Sequence, residues 1–102
     1  MAIEDVLVQH IEATPGVLGG KPRLAGHRIR VMDIVVWHEK RGLSPDEIAE
    51  LYPSITLADV HAALAYYFDH WEEIEADLQR ETDLVAAMKG RYPSKLQMAD
   101  GQ

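Results

Sequence analysis

The chain has 102 residues, 47% hydrophobic and 26% charged, with a net charge of −7 and no cysteine. That balance fits one small folded domain and excludes wholesale disorder and collagen-like or low-complexity architectures. The missing thiols remove disulfides, zinc ribbons and thiol catalysis. No apolar run reaches the roughly 18 to 20 residues of a membrane span, and the acidic start Met1-Ala2-Ile3-Glu4-Asp5 is unlike a secretory leader, so a cytoplasmic protein is expected.

The arm comes first in chain order. Pro15-Gly16-Val17-Leu18-Gly19-Gly20-Lys21-Pro22 is turn chemistry, and Arg28-Ile29-Arg30-Val31 alternates basic with apolar residues, the pattern of a half-buried strand. Residues 9–31 therefore read as a β arm or hairpin, with Lys21 and Arg23 facing solvent. Ile34, Val35, Trp37 and His38, closed by Lys40-Arg41-Gly42, predict a first helix over about 31–41. Ser44-Pro45-Asp46-Glu47 predicts a second: Ser44 caps, Pro45 takes the first helical position and Glu47 completes a capping box. Ile48, Leu51 and Tyr52 would form its buried face, and Pro53 ends it.

Thr56 and Asp59 then supply a second N-cap. Two capped helices separated by about four residues make a helix-turn-helix candidate. From Leu57, steps of three and four reach Val60, Leu64, Tyr67, Trp71, Ile74, Leu78, Glu81, Val85 and Met88, an apolar seam broken only at Glu81. One long third helix is expected, kinked or ended near Thr82-Asp83. A seam sustained that far predicts lengthwise packing on another helix, often from a second chain, through Trp71, Ile74, Leu78, Val85 and Met88. Gly90, Pro93 and Gly101 end the helix and leave a tail expected to be disordered alone. The expected organisation is residues 1–70 as a helix-turn-helix domain with its arm and residues 71–102 as a helical extension and tail. The expected fold class is mainly α, a helix-turn-helix three-helix core with an N-terminal β arm or hairpin and a long C-terminal helix.

Charge along the chain is uneven. Residues 1–19 carry −3, residues 20–41 carry +4, residues 42–83 carry −10 and residues 84–102 carry +2. The net acidity argues against a simple nucleic-acid coat, whereas Lys21, Arg23, Arg28, Arg30, Lys40 and Arg41 gather enough cations for several phosphate contacts. The bland alternatives are ordinary solvated faces and, for Arg28, an internal pair with Glu12 or Asp33.

The stretches Pro15-Gly16-Val17-Leu18-Gly19-Gly20-Lys21-Pro22, Gly26-His27-Arg28-Ile29, Leu43-Ser44-Pro45-Asp46-Glu47-Ile48, Tyr52-Pro53 and Leu57-Ala58-Asp59-Val60-His61-Ala62-Ala63-Leu64-Ala65-Tyr66-Tyr67 occur in this order. Over roughly residues 10–68 the chain resembles the domain of unknown function 433 family, small prokaryotic helix-turn-helix proteins described as VapB-type antitoxins. The resemblance implies a compact winged or homeodomain-like DNA-binding fold and a partner that is a PIN-like ribonuclease toxin. His27 and Arg30 depart from similar sequences, which carry Thr and Pro there.

The second helix of such a pair enters the major groove, so Thr56 and His61 are candidate DNA contacts, joined by Lys21, Arg23, Arg28 and Arg30 of the arm. The exposed positions around Thr56 and His61 contain no Arg or Lys and fit a protein-facing helix equally well. In the tail, Lys89, Arg91 and Lys95 either complement the helix dipole or offer a cation to a nuclease's carboxylates, with Arg91 the candidate and Val85 and Met88 anchoring it. Catalysis finds little support. Glu72, Glu73, Glu75 and Asp77 spread over a solvent side, His61 and His70 lie nine apart rather than four, and no nucleophile has a base beside it. No metal and no cofactor are expected. The expected function is that of a type II antitoxin, binding its own promoter DNA and neutralising a PIN-like ribonuclease as a homo-oligomer; the rival is a non-DNA-binding adaptor or protein-interaction module built on the same helices.

Overall fold

The computed structural model describes residues 9–92. The protein is mainly helical, with a small antiparallel hairpin at its N-terminal side. Strand β1, Ile11–Glu12, pairs with β2, Arg23–Leu24, in the register Ile11 to Leu24 and Glu12 to Arg23. The ten residues between them turn through Gly16, Gly19 and Gly20, whose φ values of 84°, 67° and 75° lie in the left-handed region that glycine enters without a Cβ penalty. The hairpin is shorter than the alternation at Arg28–Val31 predicts. Arg30 makes only an isolated bridge to Arg23, and Val31 already opens a helix. The cause is Asp33: its carboxylate takes the Arg30 amide at 2.9 Å, so the chain is capped into a helix at the point where a strand would continue.

That helix, α1, runs Val31–Val35 and continues as a wider π turn over Val36–Lys40, close to the predicted span. The widening is visible in the Arg41 amide reaching back five residues to the Val36 carbonyl at 2.9 Å. Gly42, at φ 76°, and the His38 ring N–H, which donates to the Leu43 carbonyl at 2.8 Å, close the end. Helix α2, Pro45–Leu51, starts as predicted: the Ser44 hydroxyl accepts from the Glu47 amide and the Glu47 carboxylate accepts from the Ser44 amide, both at 3.1 Å. Tyr52, ahead of Pro53, is pushed to an extended ψ of 79°, which stops the helix. Its buried face is narrower than predicted. Ile48 is fully buried and Tyr52 stacks on Trp37 at 4.4 Å, but Leu51 is 61% exposed, because a seven-residue helix presents barely two turns to its neighbours.

Helix α3, Leu57–Asp69, is capped reciprocally by Thr56 and Asp59. Leu24, Val31, Ile34, Val35, Ile48, Val60 and Ala63 are all fully buried and form the core between the hairpin, α1, α2 and α3. Burying one such aliphatic side chain stabilises by about 1.5–3 kcal/mol, so this cluster is the main source of stability.

The long third helix of the sequence reading is two helices, and the break lies at His70 rather than near Glu81. The His70 amide bonds both the Tyr66 and Tyr67 carbonyls, its ring N–H donates to the Tyr66 carbonyl at 3.0 Å, and the ring stacks on Tyr66 at 3.9 Å. Those interactions favour φ −124° and ψ 35° at His70, which no α-helix continues through. Periodicity alone could not show this, since the apolar spacing crosses the break undisturbed.

Two compact units result, one ending at Trp71 and one beginning at Glu72. In the second, helix α4 runs Trp71–Arg91, and every residue from Gln79 to its end is exposed. The helix does not end at Gly90, where a tail over about residues 90–102 is expected to begin, but runs on to Arg91, and the rest of that tail, residues 93–102, lies outside the described residues.

Candidate interaction surface

The arm's cations divide into structural and free ones. Arg23 does not face solvent: its side chain is 11% exposed and lies 2.6 Å from the Glu12 carboxylate, with further bonds to the His27 carbonyl at 3.1 Å and the Thr14 hydroxyl at 3.2 Å. It brackets the two strands and the turn after β2. Glu12 in turn accepts the Gly26 amide at 2.9 Å, and that amide, with Arg23 beside it, holds the Glu12 carboxyl below its usual range against a smaller opposing effect of burial. Arg30 forks onto both oxygens of Asp33, at 2.8 and 3.2 Å, and is spent on the start of α1. Lys21 is half-buried and engaged. Arg28 differs: it is exposed and makes no hydrogen bond or ion pair among the described residues, so neither internal pairing considered for it occurs, and Glu12 and Asp33 take Arg23 and Arg30 instead.

The N-terminus of α3 is also occupied. Asp59 accepts from the Thr56 amide at 2.9 Å with one oxygen and from the His10 ring N–H at 2.7 Å with the other, while the Thr56 hydroxyl accepts the Asp59 amide at 3.1 Å. Burial pushes the Asp59 carboxyl up, but the Thr56 amide and the His10 ring together outweigh it and hold the group below its ordinary value. The arm is therefore clipped, 49 residues away in sequence, to the helix end where a phosphate would otherwise dock. This contact was invisible in the sequence, because a lone His in a short alternating stretch carries no signal of its mate.

The open side of α3 is mostly apolar, with one histidine. Leu57 is 40% and Phe68 62% exposed, with exposed His61 and half-buried Ala65 between them at spacings of four, four and three, one face of a helix. Among the described residues of this face there is no Lys or Arg. The apolar seam counted from Leu57 does not include Phe68. The available signal was that Phe68 is a large aromatic off the buried stripe, at the same helical phase as His61.

The remaining candidates lie around α4. Trp71 is 52%, Val85 46% and Met88 51% exposed, and Leu78 is half-buried. Ile74 is only 2% exposed, so it is not part of an open seam. Arg91 is exposed and sits 5.8 Å from the centroid of the Tyr92 ring, and Lys95 lies outside the described residues. Among the described residues no group of three or more His, Asp or Glu is placed to hold a metal, and no helix is long and apolar enough to cross a membrane.

Two reciprocally capped helices behind a two-stranded hairpin, with a glycine-rich turn and an internal Arg–Glu bracket, define a small, mainly helical domain. The chain belongs to the family described as "Protein of unknown function (DUF433)", whose model matches residues 11–67, from the first strand to near the end of α3. It is similar to the crystal structure, at 2.00 Å, of a DUF433 member protein from Anabaena variabilis, with 33% identity, a TM-score of 0.65 and 74% of each chain covered. None of the curated proteins compared matches the chain.

Proposed function

We propose that the chain is a protein-binding member of the antitoxin type, in which the helix-turn-helix presents α3 to a protein rather than to a DNA groove. The observation carrying this is the open face of α3, where Leu57, Ala65 and Phe68 form an apolar strip interrupted only by His61 and without Lys or Arg, and the adjoining helix N-terminus is filled by Asp59 and His10. A groove-reading helix needs donors to base edges and phosphates. An apolar strip with two large, partly exposed side chains instead suits burial in a partner, where aromatic anchors dominate affinity. The partner class is the PIN-like ribonuclease that the resemblance implies. The test is to look beside the gene for one that encodes a PIN-like ribonuclease, whose absence would count against the reading, and to measure inhibition of that enzyme by wild type and by the double variant Leu57→Glu, Phe68→Glu. Inhibition lost by at least about 30-fold in the variant, the scale of a hot-spot truncation, supports the reading; undiminished inhibition overturns it.

One observation favours a second activity, promoter binding through the arm: Arg28 is exposed and unpaired among the described residues, with Lys40 and Arg41 also exposed on the same basic stretch. Fluorescence anisotropy on the upstream duplex at two salt concentrations checks it. Arg28→Glu should weaken binding and lower the salt slope by about 1, and an unchanged slope would reject that contact.

A further inference from the structure

We propose that the open strip of α3 is covered by the distal end of α4 from a second copy of this chain, each copy giving its α4 to the other's α3. The inference rests on reading the α3 strip as a protein-docking face, as above, and adds that self-association and capture of the ribonuclease compete for it.

The donor strip lies at the far end of α4. Leu84 is 62%, Val85 46%, Met88 51% and Tyr92 64% exposed. At 3.6 residues per turn these four fall within about 100° of one another around the axis, so they share one face. Ile74 is buried and takes no part. The acceptor strip of Leu57, His61, Ala65 and Phe68 falls within about 80° on α3 by the same spacing. Leu57 to Phe68 rises roughly 16 Å and Leu84 to Tyr92 roughly 12 Å at 1.5 Å per residue, so one strip fits along the other.

Charge says which strip fits which. Between residues 84 and 92 the chain carries Lys89 and Arg91 and no acid, and helical phase sets one cation at each edge of the strip. Residues 42–71, which hold α2 and α3, carry Asp46, Glu47, Glu50, Asp59 and Asp69 and no Lys or Arg. Asp69 follows Ala65 by one turn, at the edge of the acceptor strip. It and Lys89 are exposed, and neither makes a hydrogen bond or ion pair among the described residues. Pairing two α4 ends, or two α3 strips, brings like charges together. Only the crossed pairing brings cations to acids, and such complementarity selects partners. The exchange also closes: what one copy gives the other returns, a two-fold dimer that leaves neither strip for a third copy.

The experiment uses the full chain. Sedimentation equilibrium should show a dimer that dissociates on dilution; a monomer at every concentration up to about 0.2 mM overturns the proposal. The double variant Leu84→Glu, Met88→Glu and, separately, Phe68→Glu should each be monomeric with an unchanged far-UV circular dichroism spectrum, since all three sites are more than half exposed. A dimer surviving in either overturns it. Lys89→Glu, Arg91→Glu should weaken association by about tenfold, several exposed ion pairs together, and adding Asp69→Lys should recover part of the loss. Undiminished association in that cation variant overturns the charge match on which the pairing rests. The chain has no cysteine, so an Asp69→Cys chain can be mixed with a Lys89→Cys chain and treated with a short bifunctional maleimide. The mixed cross-link is expected, and self cross-linking of Lys89→Cys without it overturns the proposal. The two readings fail separately, because association is measured without the ribonuclease. A monomeric wild type that inhibits the enzyme refutes the exchange alone, and a dimeric wild type that does not inhibit refutes the ribonuclease alone. Leu84→Glu, Met88→Glu keeps the α3 strip and should inhibit at least as well as wild type; inhibition lost in it would assign the α4 strip to the ribonuclease and overturn the exchange.

Discussion

Asp59 joins three parts of the chain, and its removal tests whether the arm is held on α3. Asp59→Ala takes away the carboxylate that accepts from the Thr56 amide at 2.9 Å and the His10 ring at 2.7 Å, in a side chain only 14% exposed. The lost return half of the capping box is worth roughly 1 kcal/mol, the negative charge at a helix N-terminus about 0.3–1 kcal/mol, and the bond from His10 to a mostly buried carboxylate about 1–2 kcal/mol. Allowing for overlap, the variant should lose about 2–3 kcal/mol. For a folded region of this size that lowers Tm by roughly 10–20 °C, from 4–8 °C per kcal/mol. His10→Ala should cost about 1–2 kcal/mol, and the double variant should cost less than the sum of the two by about 1 kcal/mol, the coupling of one charge-assisted bond. Urea unfolding followed by far-UV circular dichroism measures all four corners of the cycle. A coupling within about 0.3 kcal/mol of zero would refute the clip, and the argument that the α3 N-terminus is filled would fall with it.

Acid should unfold the protein in part through Glu12 and Asp59. Both carboxyls are depressed in the folded state, so the stability they contribute is complete above their unfolded values, about 4.3 and 3.9, and is lost as pH falls through the lower folded values. Urea midpoints between pH 6 and pH 3 should therefore fall less steeply in Glu12→Gln and Asp59→Asn than in wild type. Arg23→Ala should destabilise clearly more than Arg28→Ala, because it removes the bonds that the mostly buried Arg23 makes to Glu12, the His27 carbonyl and Thr14, whereas Arg28→Ala should change the midpoint by less than about 0.5 kcal/mol. Ile74→Glu should lower the unfolding midpoint of the chain itself, beyond any effect on assembly, because the residue is 2% exposed; a wild-type midpoint would contradict that burial. Ile48→Ala, at a fully buried site, should cost about 2–5 kcal/mol in the same assay.

Local chemistry explains which parts of this fold could be read from sequence. Ser44 to Glu47 and Thr56 to Asp59 are three apart, so each cap is closed by residues that the chain cannot separate, and both helix starts were legible to the residue. The glycine turn was legible for the same reason. Contacts between distant residues were not. Arg23 and Arg28 are alike in charge and setting along the sequence, yet one reaches Glu12 across the hairpin and the other reaches nothing described, and only the register of two two-residue strands decides which. His70 is a comparable case. Its ring stacks back on Tyr66 and ends α3, while the apolar spacing carries on through Trp71 and Ile74 as if one helix continued.

The same chemistry that made the helix-turn-helix legible bears on what it can bind. A phosphate at a helix N-terminus needs free amides and a favourable field. In α3 the Asp59 amide is given to the Thr56 hydroxyl and the nearest charge is the Asp59 carboxylate, which would repel a phosphate. Displacing it would break both the cap and the bond from His10, at a cost of the order worked out above, before any phosphate contact formed. An apolar partner on Leu57 and Phe68 requires no such displacement, because those side chains lie on the open flank of α3 and leave the clip intact. The two readings therefore separate in one variant. Asp59→Asn keeps one acceptor oxygen for the Thr56 amide, turns its NH2 toward the His10 ring as a donor and removes the charge, so promoter affinity should rise if α3 meets phosphate and stay flat if it meets protein, while ribonuclease inhibition should be unaffected in either case.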